Sequence, residues 1–221
     1  MRQEIADAMA PFDRNGGDDL LAGEWDSWSL GAAHREFFIR PECDEDQRLI
    51  REYDPPRQTS YELPVGRCSG GPRELLDIQL QRSRAAASAR ALWNEWKEFS
   101  AGFPVARSLV DLIAEEPNAT VRRAGPAWQK YAAQPLVREL LSKPELRSRF
   151  GDQAVGDFGV GVDRFVQVKV YETLARDALL TLDGEWLSRE SMPHEQYIEF
   201  FNSYLDGLSP QSVVVNVTYH S

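Results

Sequence analysis

The stretch Ser212-Val-Val-Val-Asn-Val-Thr-Tyr-His220 decides how this chain folds. Val213, Val215, Val217 and Tyr219 alternate with Val214, Asn216, Thr218 and His220, a period of two that predicts a β-strand. Left unpaired, so apolar a strand would expose an aggregation-prone edge, so it must find partners. The natural ones are strands near the N-terminus, which would close the fold on itself.

Those strands are expected between Gly23 and Val65. Trp25, Trp28, Phe37, Phe38, Ile39, Tyr53 and Tyr61 fall in short runs separated by Gly31, Pro41, the acidic Asp44–Asp46 and Pro55-Pro56, the pattern of a small antiparallel meander. A short helix from Glu4 to Ala10 and a turn-rich break from Asp13 to Asp19 precede it. Cys68-Ser-Gly-Gly-Pro72 is expected to end it, because paired glycines and a proline neither extend a strand nor continue a helix.

From Pro72, read as a first-turn proline, the period changes. Leu75, Ile78, Arg82, Ala85, Ala89, Leu92, Trp96 and Phe99 are spaced alternately three and four apart, a helix seam that Gly102 and Pro104 stop. A helix from Val105 to Glu115 and three short ones opened by Pro126, Pro135 and Pro144 complete a helical middle lobe of about residues 72–150, built around Trp93, Trp96, Trp128 and Tyr131. Gly151 to Gly161 reads as a loop or hinge; its glycine spacing is not that of a dinucleotide-binding turn. Val166, Val170, Leu174, Ala178 and Leu182 recur every four residues and predict one helix from Asp163 to Asp183 or Gly184. The competing pattern is a hairpin about Asp183-Gly184, joining Leu180–Leu182 to Glu185–Leu187. Length favours the helix. Pro193 then opens a helix with Tyr197, Phe200, Phe201, Tyr204, Leu205 and Leu208 on its inner face. The expected fold class is α+β in a single domain, residues 1–221, with the helical middle packed on a small, mostly antiparallel sheet of N-terminal strands and the C-terminal strand.

The 221 residues are 42% hydrophobic and 27% charged, the ordinary range of a packed globular protein. The net charge of −10 argues against general nucleic-acid binding, which draws on many Lys and Arg contacts to phosphate. Its distribution is uneven: −7 over residues 1–71, +4 over 72–150 and −7 over 151–221. A basic middle lies between two acidic ends. Nowhere do eighteen apolar residues run together and the N-terminus does not read as a secretory signal, so no membrane association and a cytoplasmic location are expected. Cys43 and Cys68 then read as free thiols. Arg outnumbers Lys 21 to 4, a composition that resembles proteins of GC-rich bacteria.

Chemistry has few footholds. His34, His194 and His220 do not fall at metal-ligand spacing, and neither a nucleophile-elbow serine, a phosphate-binding Walker loop nor a Cys-x-x-Cys pair occurs. No cofactor or metal is expected. The candidate acid–base residues are His220, Asn216, His194, Asp183 and Glu185; Asn216, Thr218 and His220 share one face of the last strand, which could line a cleft or stand in water. Candidate binding residues are Trp25 and Trp28, should they be exposed, and the arginines Arg82, Arg84, Arg122 and Arg123 as an anion site. For Arg82 the simpler expectation is a pair with a carboxylate from an acidic flank. These features lead to a non-catalytic binding or accessory protein that engages a protein or peptide partner; the alternative is a small-molecule enzyme using the C-terminal polar face.

Overall fold

A computed structural model of the chain describes residues 2–15, 23–54, 62–115 and 125–220. Residues 16–19, Pro55-Pro56, Tyr61 and Arg122-Arg123, which figure in the sequence reading, lie outside the described residues. Helix α1 (Arg2–Met9) precedes strands β1 (Ser27–Leu30), β2 (Phe37–Phe38), β3 (Arg67–Cys68) and β4 (Gly70–Pro72). Helices α2 (Ile78–Ser100), α3 (Leu109–Ala114), α4 (Pro126–Ala133), α5 (Pro135–Ser142), α6 (Pro144–Phe150), α7 (Ala154–Gly159) and α8 (Val162–Leu174) follow. The hairpin β5 (Ala178–Leu180) and β6 (Trp186–Ser188), helix α9 (His194–Gly207) and strands β7 (Val213–Val215) and β8 (Val217–His220) complete an α+β fold. Among the described residues no helix is long and apolar enough to cross a membrane.

The chain divides into two compact units, Met1–Arg82 with Tyr171–Ser221, and Ser83–Val170. All the strands belong to the first. There the C-terminal strand pairs antiparallel with N-terminal strands, as its period required: β8 with β1, setting Trp28 opposite Tyr219, and β7 with β4, setting Gly71 opposite Val214. The strand is not continuous. At Asn216 the pairing passes from one partner to the other, its N–H donating to the Ser69 carbonyl at 2.8 Å and its C=O accepting from the Gly31 N–H at 2.9 Å.

Four expectations are corrected here. The Gly-Gly-Pro segment is a strand, β4, not a terminator. The absent Cβ of Gly70 is what permits the pairing, because a Cβ there would sit 2.2 Å from the Val214 carbonyl oxygen. Among the described residues the meander is reduced to β1 and β2, and β2 pairs with β3. Helix α2 starts at Ile78, since the Asp77 carboxylate accepts the Leu80 N–H at 2.8 Å as an N-cap and Pro72 lies in strand β4. The fourth correction concerns residues 163–187. Helix α8 stops at Leu174, and the hairpin about Asp183-Gly184 forms, with Leu179 opposite Leu187 and Gly184 at φ 80°.

The second unit is helical. Pro126, Pro135 and Pro144 each open a helix as predicted, and α5 turns Leu136, Val137 and Leu140 inward. Ser108 caps α3, its hydroxyl accepting the Asp111 N–H at 3.1 Å, so that helix starts at Leu109 and not at Val105. Trp96 and Tyr131 are buried, while Trp93 and Trp128 are half-buried. The expected loop at 151–161 contains helix α7, held by Ala154 and Phe158, one turn apart on its buried face. Phe158 stacks on Phe165 at 4.4 Å and on Trp96 at 4.8 Å, and this aromatic packing offsets the low helix propensity of the glycines.

Candidate functional site

A cleft of about 1300 Å³ lies in the first unit. Two of its borders are residues 213–219, from β7 and β8, and residues 178–182, from β5. Successive side chains of a strand point to opposite faces, so a sheet face would supply every second residue to the lining; an unbroken run supplies an edge. The hydrogen bonds agree. Ser212, Asn216 and His220 turn their backbone groups toward Arg73, Ser69, Gly31 and Asp26, on the β4 and β1 side. By the two-residue alternation, Val213, Val215, Val217 and Tyr219 point their N–H and C=O groups the other way. In β5, Asp177 and Thr181 bond across the hairpin, which leaves Ala178, Leu180 and Leu182 facing outward. Leu182 donates its N–H to the Tyr204 hydroxyl at 2.7 Å. Among the described residues no backbone partner lies on either outer edge.

Where the cleft borders meet, Arg176 holds them together. Its Nε donates to Asn216 Oδ1 at 3.0 Å, its Nη2 to the Arg35 carbonyl at 2.7 Å, and its Nη1 reaches the carbonyls of Thr173, Leu174 and Ala175, the last of them at 3.2 Å. A cation on the final carbonyls of α8 satisfies a helix C-terminus, which is why the helix stops here. Asn216 Nδ2 donates to the same Arg35 carbonyl at 2.7 Å. Asn216 is 5% exposed, so this is a buried polar knot. Burial, and after it the charge of Arg35, pushes the Arg176 guanidinium down to about 10.

Two further arginines line the cleft beside it. Arg35 is exposed and donates to the Ala175 carbonyl at 3.4 Å. Arg189 pairs loosely with Asp177 at 3.7 Å, and its Nε is buried without a partner among the described residues. Trp186 meets Tyr219 edge-on at 5.3 Å on the same cleft and packs on Phe12 at 5.2 Å. Burial raises the Tyr219 phenol above its usual 10.0.

The sequence candidates are dispersed. Asn216 lies in the cleft, but it is a strut for Arg176 and Arg35, not a solvated polar group. Thr218, on the same strand face, is likewise bonded, to the Gly31 carbonyl at 2.7 Å, so the expectation of a solvated face holds for His220 alone. His220 is exposed and hydrogen-bonds Asp26 at 3.1 Å; His194 bonds Glu172 at 2.9 Å. Asp183 and Glu185 stand exposed in the hairpin turn. The two histidines thus bond different carboxylates, neither of them Asp183 or Glu185. Among the described residues no three His, Cys, Asp or Glu side chains come together as metal ligands.

Of the binding candidates, Trp25 is 6% exposed, with its indole N–H on the Met9 carbonyl at 3.1 Å, and so belongs to the core. Trp28 is half-buried on β1. Arg82 grips Asp206 at 2.9 and 3.1 Å and Asn202 at 2.9 Å, a pair with the acidic C-terminal flank. Arg84 is exposed two residues further along α2, a spacing that does not share a helix face with Arg82. The residues that sequence reasoning missed are Arg35, Arg176, Arg189 and Tyr204. The one usable signal was Arg176-Asp177, a charged pair interrupting the apolar series of Leu174 and Ala178. No family model, curated protein or solved structure matches this chain.

Proposed function

We propose that this is a non-catalytic binding protein whose cleft receives an extended peptide segment of a protein partner as an added β-strand. The observation that carries the reading is the pair of outward strand edges, 213–219 and 178–182, on one cleft. An extended peptide laid along such an edge gains backbone hydrogen bonds, while side-chain pockets between them set preference. The cleft volume of about 1300 Å³ exceeds the roughly 300–1,000 Å³ usual for small-molecule sites. At about 3.3 Å per residue, the edge from Val213 to Tyr219 is roughly 20 Å long, and Asn216 at its middle divides it into two stretches with room for about three peptide residues each. Trp186, Tyr204 and Tyr219 supply the aromatic anchors common at recognition surfaces.

The test is selection from a random-peptide display library, followed by titration of the selected peptide into the wild-type chain and into Val217→Pro. The Val217 N–H points away from β1, so proline removes an outer-edge donor without breaking the ladder. Binding should weaken about tenfold or more in V217P. Should V217P unfold, amide exchange of wild-type Val215, Val217 and Tyr219 provides the measurement, with protection expected on adding peptide. A library that yields no binder, or a binder that protects none of these amides, overturns the proposal.

A further inference from the structure

Building on that reading, we infer that the cleft recognises the free C-terminal carboxylate of its peptide, seated against Arg35 and Arg189 beside Arg176. The geometry points to a chain end. Arg176, immediately before β5, is bonded to Asn216 in the middle of the opposite edge, so a strand lying between the two edges meets a cross-tie there and cannot continue. The charge points to the carboxyl end and not the amino end. Three guanidinium groups line this part of the cleft. Of the carboxylates that act on them, Asp177 is 75% exposed and 3.7 Å from Arg189, and Glu36 is buried and accepts the His34 N–H at 2.8 Å.

The hydrogen-bonding capacity left open here is donor capacity. A guanidinium has five N–H groups. Those of Arg176 are used on Asn216, on the Arg35 carbonyl and, through Nη1, on the α8 carbonyls, which leaves one Nη2 N–H over. Among the described residues the Nε of Arg189 has no acceptor, and the Arg35 guanidinium reaches the Ala175 carbonyl at a long 3.4 Å. A carboxylate is the group whose two oxygens accept from such a set, in the bidentate manner that favours arginine. Arg176 is mainly the helix cap and cross-tie. Arg35 and Arg189 are the partners for the ligand.

The experiment uses peptides selected from a library displayed with free C-termini, each resynthesised as the free acid and as the C-terminal amide, and measured by fluorescence anisotropy against the full chain. The free acid should bind about ten- to a hundredfold more tightly than the amide, the range of a charge-assisted hydrogen-bond pair. Arg35→Gln and Arg189→Gln should each weaken the acid and leave the amide unchanged, so that the acid-to-amide ratio falls. Equal binding of acid and amide, with V217P still abolishing both, overturns the carboxylate and keeps the peptide. The same holds if an internal Asp or Glu carries the dependence on Arg35 and Arg189. Failure of every peptide, whichever end is free, overturns both readings.

Discussion

Replacing Asn216 with alanine removes both hydrogen bonds that cross-tie the cleft, and its cost follows from their kinds. The bond from Arg176 Nε, at 3.0 Å, involves a cation and is worth about 1.5–3 kcal/mol; the one to the Arg35 carbonyl, at 2.7 Å, joins neutral groups and is worth about 0.5–1.5 kcal/mol. Arg176 keeps its helix carbonyls, so the cation is not stranded, and the expected loss is roughly 3 kcal/mol. For a chain of 221 residues that lowers Tm by roughly 6–12 °C. Asn216→Asp is the informative companion. It keeps an acceptor for Arg176 and adds a compensating charge, losing only the donor to Arg35, so its cost should be about 1 kcal/mol or less. Urea unfolding followed by fluorescence gives both values, and exchange of the Gly31 amide, which bonds the Asn216 carbonyl, localises the effect. A loss below about 1 kcal/mol for N216A, or an N216D variant as damaged as N216A, would refute the knot as described.

Further outcomes are expected. Gly70→Ala drives a methyl group to within 2.2 Å of the Val214 carbonyl oxygen and should cost about 1–3 kcal/mol in the same unfolding assay; a neutral result would mean that β4 and β7 are not paired as described. A thiol reagent at pH 8 should label Cys43 in the native protein and spare Cys68, which is 0% exposed and whose thiol burial pushes up to about 11; denaturant should release it, and equal native rates would contradict that burial. The His220 hydrogen bond, partly opposed by desolvation, holds the Asp26 carboxyl below its ordinary 3.8. Because the folded value is the lower one, the pairing contributes fully above pH 3.8 and is lost as pH falls through the folded midpoint. NMR titration should place the Asp26 midpoint below 3.8 and return it toward 3.8 in His220→Ala. Asp46, gripped by Arg48, should titrate at about 2, and Arg48→Ala should restore it upward.

What was legible in the sequence is what local chemistry dictates. The alternation in 212–220 announced a strand, and its apolar edge demanded a partner, which β1 and β4 supply. Prolines 126, 135 and 144 marked three helix starts because a first-turn proline forfeits no hydrogen bond. The readings that failed turned on tertiary partners. Gly70 and Gly71 read as the end of the strand region, yet what decides their strand is the Val214 backbone pressed against the missing Cβ of Gly70, 144 residues further on. The valine series in 162–174 ran on past the true helix end, since nothing in a four-residue period reveals that Arg176 folds back onto the last carbonyls. Asn216 was visible as a polar residue in an apolar strand. Its bonding partners, Arg176 and Arg35, are 40 and 181 residues away, and no local pattern marks such a contact.

An outer strand edge is a liability, and natural proteins blunt it with charge, proline or a covering element. Residues 213–219 are four valines, an asparagine, a threonine and a tyrosine, and none of them is charged. The blunting comes from the surroundings. The edge lies along a cleft whose lining includes Arg14, Arg35, Arg176 and Arg189 and the acids Glu4, Glu24, Asp177 and Glu190. A second copy of this long, flat edge would bring its own bulk and the net charge of −10 with it, so edge-to-edge pairing between copies is opposed by shape and by repulsion. A single extended segment meets neither obstacle. The same features that keep the edge from aggregating thus select what can pair with it: a thin, flexible strand, with an anionic end where the arginines gather.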